Sequence, residues 1–311
     1  MPPEIRVNEF TDPGCPWAWS AEPFRRRIDW LYGDALEWRL HMVGLSATPE
    51  EYEDKGLTPA RMASGFATIA GEHHMPMATH ERPRVAATLP ACRAIVAARE
   101  HGGERLARAL LRQLRVRHFG GGLLDDPHTI EAAAHDAGIA EETLRGWLAD
   151  PGVEAALVAD MTVSREPIPA ARILDHKLAN WTGGVRYTCP SYEFVRLSDG
   201  VRIAVPGFQP LAVYDVVLAN LLPRCERRVD PVSVEEVLSW AGEPLATQEV
   251  AVLMDLSLED AREELGRVAV ETHLGFDGLW TLPRYRKLSI APSNDRASDA
   301  TASASTSSSG R

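Results

Sequence analysis

The strongest constraint sits near the start of the chain. Residues 4–10, EIRVNEF, alternate apolar and polar side chains, the mark of a strand with one buried face. Residues 16–32 then repeat their apolar positions at helical spacing, with Pro16 in the first turn. Between the two lies TDPGCPWAW, which puts one thiol, Cys15, at the strand-to-helix junction. A thiol just ahead of a helix faces unpaired backbone N–H groups and the positive end of the helix dipole. Both favour thiolate, so Cys15 is expected to be nucleophilic with a lowered pKa. Pro16 fixes the turn without forfeiting a needed hydrogen bond. Three positions after the thiol stands Ala18, so the turn has no second sulfur.

The order of the following elements narrows the fold. ALEWRLHMVGL (35–45) reads as a second strand, and residues from about 48 to 178 are almost wholly helical in pattern. Within that block, DDPHTIEAAAHDAGI opens on Asp126 as N-cap and Pro127 at the first helical position. SYEFVRL and VRIAV flank SDG as a hairpin, and LAVYDVVLANLL supplies another helix. Strand, helix, strand, helical block, two strands and helix is the order of a thioredoxin core with a helical insertion after its second strand.

Composition excludes several classes of function. The net charge of −11 gives no positive field for nucleic acid or an anionic membrane. No apolar run reaches the roughly 18 residues of a membrane helix, and no apolar signal core opens the chain. Four cysteines are too few for a disulfide scaffold and suit a reducing compartment. A cytoplasmic location is therefore expected, with neither nucleic acid nor membrane among the partners.

TDPGCPWAW resembles the active-site turn of the DsbA-like thioredoxin family. TLPACRAIVAARE and PGFQPLAVYDVVLANL are similar to helices of its cytoplasmic branch, the FrnE-type dithiol isomerases and 2-hydroxychromene-2-carboxylate isomerases. The resemblance covers about residues 4–222. It implies thiol–disulfide oxidoreductase or isomerase activity with Cys15 as nucleophile. The family's redox members carry Cys-x-x-Cys, whereas CPWA lacks the resolving thiol. Two alternatives stay open: an isomerase or transferase that uses a low-molecular-weight thiol on a small aromatic or polyketide-like substrate, and a redox-silent adaptor. No tightly bound cofactor and no metal are expected; a glutathione- or mycothiol-like thiol is the candidate diffusible cofactor. The expected partner is a protein or small-molecule thiol or disulfide.

The same resemblance implies a cis-proline before the third core strand. Pro190, in RYTCPSYEF, precedes that strand, whereas Pro206 follows the next one. Cys189 would then approach Cys15 and could resolve its mixed disulfides. Pro16, Trp17, Thr188 and Pro190 are the expected substrate-binding residues. Cys92 reads as a packed helical cysteine at a position where relatives carry a histidine facing the site. Cys225 reads as structural or exposed, and the histidines of EHHMPMATH as loop residues near the entrance.

The domains expected are a thioredoxin unit over 1–225, a winged-helix-like α+β module over 226–288 and a disordered tail over 289–311. In the module, PVSVEEVLSW, TQEVAVLMD and SLEDAREELGRVAVET read as helices, and HLGFDGLWTL as a strand pair turning at Asp277–Gly278. The last of these helices carries Glu259, Asp260, Glu263 and Glu264 against Arg262 and Arg267, a face that phosphates would repel. A Ser, Ala and Thr-rich tail cannot build a core.

Overall fold

The structure, a computed structural model, describes residues 2–283. The expected tail over 289–311 and the last residues assigned to the module lie outside the described residues.

Strand β1 (Ile5–Thr11) leads through α1 (Pro16–Ser20) and α2 (Glu22–Tyr32) to β2 (Leu36–Met42). Seven helices follow: α3 (Pro49–Glu53), α4 (Pro59–His73), α5 (Leu89–Phe119), α6 (Pro127–Asp136), α7 (Glu141–Leu148), α8 (Pro151–Ser164) and α9 (Pro169–Arg172). A small hairpin, β3 (Leu178–Trp181) and β4 (Gly184–Tyr187), precedes β5 (Ser191–Arg196), β6 (Arg202–Val205) and α10 (Leu211–Leu221). The central sheet runs β2-β1-β5-β6, with β1 parallel to β2 and antiparallel to β5. This is the strand arrangement of a thioredoxin core. Ile5 and Val7 pack with Ile28 of α2 and Leu218 of α10. Glu9 and Thr11, on the same strand face, are buried because Arg108 and Arg115 of α5 reach in to pair with them.

Several elements differ from expectation. The helix over 16–32 is two helices that break at Ala21, because Pro23 has no N–H to continue the ladder. α5 bends sharply at Gly103, whose φ of 82° suits glycine. The β3–β4 hairpin has no counterpart in the sequence reading.

Beyond Cys225 come α11 (Val234–Ala241), β7 (Leu245–Ala246), α12 (Thr247–Met254), α13 (Leu258–Val268), β8 (Val270–Leu274) and β9 (Asp277–Thr281). The three strands form an antiparallel sheet in the order β7-β9-β8. Residues 270–272, expected at a helix end, belong to β8, since the chain is already extended at Ala269. The turn falls at Gly275–Phe276 and not at Asp277–Gly278. Gly275 adopts a φ of 63°, while Thr247 and Arg262 hold the Asp277 carboxylate at the start of β9.

This module is locked to the thioredoxin unit. Trp30 of α2 is buried among Val237, Leu253 and Trp280. Glu249 of α12, fully buried, accepts from Arg26 of α2 at 2.6 Å and from Arg112 of α5 at 2.7 Å. At the hairpin tip, Gly275 lies so close to the backbone of Met77 that a β-carbon would collide with it.

Candidate active site

Asp12 organises the turn that ends β1. Its Oδ1 accepts from the Gly14 amide at 2.8 Å, and its Oδ2 from the Leu45 amide and the Thr88 hydroxyl, each at 2.9 Å. The Cys92 thiol reaches the same Oδ2 at 3.4 Å. Gly14 has no room for a side chain, because a β-carbon would lie 2.7 Å from Thr88 Cγ2. Burial pushes the Asp12 carboxyl up, against the four donors that favour its charged form. Burial, and then the Asp12 charge, push the Cys92 thiol well up. Cys92 is thus a packed helical thiol that also braces the turn.

Cys15 stands at the N-cap of α1 and is 6% exposed. Its Sγ lies 3.2 Å from the backbone oxygen of Cys189. The Cys15 pKa is lowered, first by a hydrogen bond from the Cys189 thiol, then by the amides of Ala18 and Trp17; burial and the Asp12 charge oppose the shift. The helix behind Cys15 has only five residues. The expected amides act, those of Trp17 and Ala18 in the first turn of α1, and the facing Cys189 thiol adds the largest share. Cys189 shifts the other way, pushed well up by burial and by the neighbouring Cys15.

The Cys189–Pro190 peptide bond is cis and leads directly into β5. Ser191 Oγ donates to the Thr188 carbonyl at 2.7 Å and accepts from the Gly207 amide at 2.9 Å, joining this turn to the one before α10. Thr188 Oγ1 donates to the Lys177 carbonyl at 2.7 Å. Phe10, Ala18, Val43, Ala171 and Tyr187 complete an apolar shell around both thiols.

Two residues after Cys15, Trp17 forms an aromatic lip with His73 and Phe208. Trp17 is 38% exposed, and its ring centroid lies 5.2 Å from that of His73 and 5.5 Å from that of Phe208. Burial lowers the His73 pKa, so the lip is uncharged near neutral pH. The structure brings Cys15, Pro16, Trp17, Cys189, Pro190 and Thr188 into one region. Cys225 is half-buried on the segment after α10. Sequence reading did not single out Asp12 or Phe208. An aspartate beside a proline and a glycine, three residues before the thiol, is a signal for the first. Phe208 carried none.

No protein-family model matches the chain. Two curated relatives are similar in sequence, each a ClpXP adapter protein SpxH. The one from Shouchella clausii is 26% identical over 266 residues, covering 84% of this chain and 81% of the relative. The one from Halalkalibacterium halodurans is 26% identical over 281 residues, covering 87% and 84%. Among solved structures, a candidate protein disulfide isomerase from Nitrosomonas europaea superposes with a TM-score of 0.54 at 16% identity, covering 71% of this chain and 98% of that one. The chain therefore shares the fold of that structure, a thioredoxin core that is mixed α/β in class.

Proposed function

We propose that this chain carries out thiol–disulfide exchange at Cys15, with Cys189 as the resolving thiol that the turn itself lacks. The Cys15 sulfur beside Cys189 carries this reading. The Cys15 thiolate attacks a disulfide, forming a mixed disulfide and releasing one partner sulfur as a thiolate that takes up a proton. Capture of the Cys15 charge removes one cause that holds the Cys189 pKa up. The Cys189 thiolate then attacks Cys15 Sγ, closing a Cys15–Cys189 disulfide and releasing the second partner sulfur. Two equivalents of a small thiol, glutathione- or mycothiol-like, reduce the pair and leave as their own disulfide. The aromatic lip of Trp17, His73 and Phe208 suits an apolar segment of a protein partner in a reducing, cytoplasmic setting. Incubation of the reduced chain with oxidised glutathione, followed by peptide mapping, tests the reading. The expected product links the peptides of Cys15 and Cys189, and Cys189→Ala should instead hold glutathione on Cys15. Modification confined to Cys225 would overturn it.

A second reading, a protein-binding adaptor, is favoured by the curated relatives. Their matched share of this chain exceeds the thioredoxin unit and so reaches into the C-terminal module, whereas the disulfide-isomerase structure covers 71% of the chain. The buried Glu249 seam would hold two binding surfaces in fixed relation. On this reading purified ClpX forms a saturable complex with the full chain, Cys15→Ser leaves it intact, and no disulfide turns over. Absence of that complex alongside Cys15-dependent turnover would exclude it.

A further inference from the structure

The chain carries a net charge of −11, yet two basic side chains without a salt bridge stand beside the thiol site. Lys177 immediately precedes β3, and its carbonyl accepts from the Thr188 hydroxyl at 2.7 Å. Its stem crosses Gly207, where a β-carbon would lie 3.3 Å from Lys177 Cδ. This packing carries the ammonium to 3.5 Å from the Phe208 carbonyl oxygen, at one corner of the aromatic lip. Arg186 belongs to β4, close in sequence to Cys189, and donates to the Tyr187 carbonyl at 2.7 Å. Its charge is among the influences that favour a Cys189 thiolate, so the guanidinium is within electrostatic reach of that sulfur.

Both side chains are half-buried, and neither forms an ion pair among the described residues. The carboxylates near them in sequence are engaged elsewhere. Asp175 lies 3.9 Å from His176, and Glu193 accepts from the Tyr187 hydroxyl at 2.6 Å and pairs with Arg202 at 3.2 Å. Lys177 and Arg186 therefore keep their charge for whatever enters the site.

The reacting groups have the opposite sign. Asp12 is fully buried, and its charge raises the pKa of both thiols. The Cys15 thiolate adds a second negative charge. Two cations offset these two anions, so an anionic partner is admitted where it would otherwise be repelled. Its orientation is also set. Glu72 stands 3.9 Å from His73, at another corner of the lip, and repels a carboxylate towards the Lys177 and Arg186 side.

We propose that Lys177 and Arg186 select a partner whose disulfide is flanked by a carboxylate, which they attract while the partner sulfur meets Cys15. The inference rests on the thiol–disulfide reading and names its substrate class. An acidic cysteine-containing polypeptide and glutathione both present this chemistry, whereas a mycothiol-like thiol has no carboxylate to offer.

The test gives the reduced full chain three peptides activated as 2-pyridyl disulfides: acetyl-Asp-Cys-Asp-amide, its neutral isostere acetyl-Asn-Cys-Asn-amide, and acetyl-Lys-Cys-Lys-amide. Attack by the Cys15 thiolate forms the Cys15–peptide disulfide and breaks the bond to the pyridyl sulfur. That sulfur leaves, takes up a proton and is read by absorbance as pyridine-2-thione. Each rate is divided by the rate of 2-mercaptoethanol with the same peptide, which removes intrinsic reactivity. The Asp peptide should react about three- to tenfold faster than the Asn peptide at low salt, and the ratio should fall towards one as salt is raised. Lys177→Gln and Arg186→Gln should each lower the ratio, and Lys177→Glu should turn the preference to the Lys peptide. Activated glutathione against its diethyl ester separates the two sources. Preference for the free acid in the peptide pair alone supports an acidic polypeptide, in the glutathione pair alone a small thiol, and in both a shared site. Equal normalised rates within both pairs, or a ratio that both Gln variants leave as it was, overturn the inference while the reactivity of Cys15 preserves the thiol–disulfide reading. Release of pyridine-2-thione no faster than from Cys15→Ser overturns that reading, and the inference with it.

Discussion

Cys15 and Cys189, separated by 174 positions, face each other across the site, with the Cys15 sulfur 3.2 Å from the Cys189 carbonyl oxygen. Neither belongs to a two-cysteine turn. One thiol is made more acidic and the other less so, because a thiol that donates its proton to a neighbouring sulfur stabilises the thiolate there and holds its own proton.

That asymmetry sets the pH dependence of alkylation. Cys15 should reach its maximal rate with iodoacetamide at a lower pH than a free cysteine, whose pKa is about 8.5. Cys189→Ala removes the first cause of the shift, so the midpoint should move up towards the free value. Rate against pH, followed by peptide mass, gives both midpoints. A Cys15 midpoint at or above the free value in the parent chain would contradict the thiolate assignment.

Ala18 is buried, and its amide is among the groups that favour the Cys15 thiolate. Ala18→Cys should therefore place a second sulfur within reach of Cys15. Oxidation should then link Cys15 to the new thiol in preference to Cys189, and turnover in an insulin-reduction assay should rise. Digestion after mild oxidation identifies the linked peptides.

His118 is buried, and desolvation followed by the nearby Arg82 charge holds its pKa well below the ordinary value. The folded state thus binds fewer protons than the unfolded chain. Its contribution to stability is fully present above about pH 6.5, the unfolded value, and is lost as pH falls from there towards the folded value. Urea midpoints measured across that window should decline, and His118→Asn should flatten the decline.

Glu249 neutralises two buried guanidiniums at once. Glu249→Ala should leave Arg26 and Arg112 without their shared carboxylate, at a cost of about 3–5 kcal/mol. Thermal unfolding should show a lower midpoint. Limited proteolysis should cut first in the segment after Cys225, since the same residue fastens the module to α2 and α5.

Local pattern in the sequence was enough for much of the thioredoxin core. Alternation over residues 4–10, the thiol at the end of that run and the hairpin around Ser198–Asp199–Gly200 are properties of neighbouring residues, and periodicity reports them directly. Tertiary structure decided what depends on distant residues. Pro23, which breaks the helix over 16–32, and Gly275, which takes the turn expected at Asp277–Gly278, are by contrast local signals. Asp12 gains its role from Leu45, Thr88 and Cys92, and the lip forms when Trp17, His73 and Phe208 meet. The acidity of Cys15 belongs to this second class. The sequence placed the thiol ahead of a helix, whose Trp17 and Ala18 amides lower its pKa. A thiol 174 residues away supplies the largest share, because hydrogen bonds between side chains depend on distance in space and not on separation along the chain.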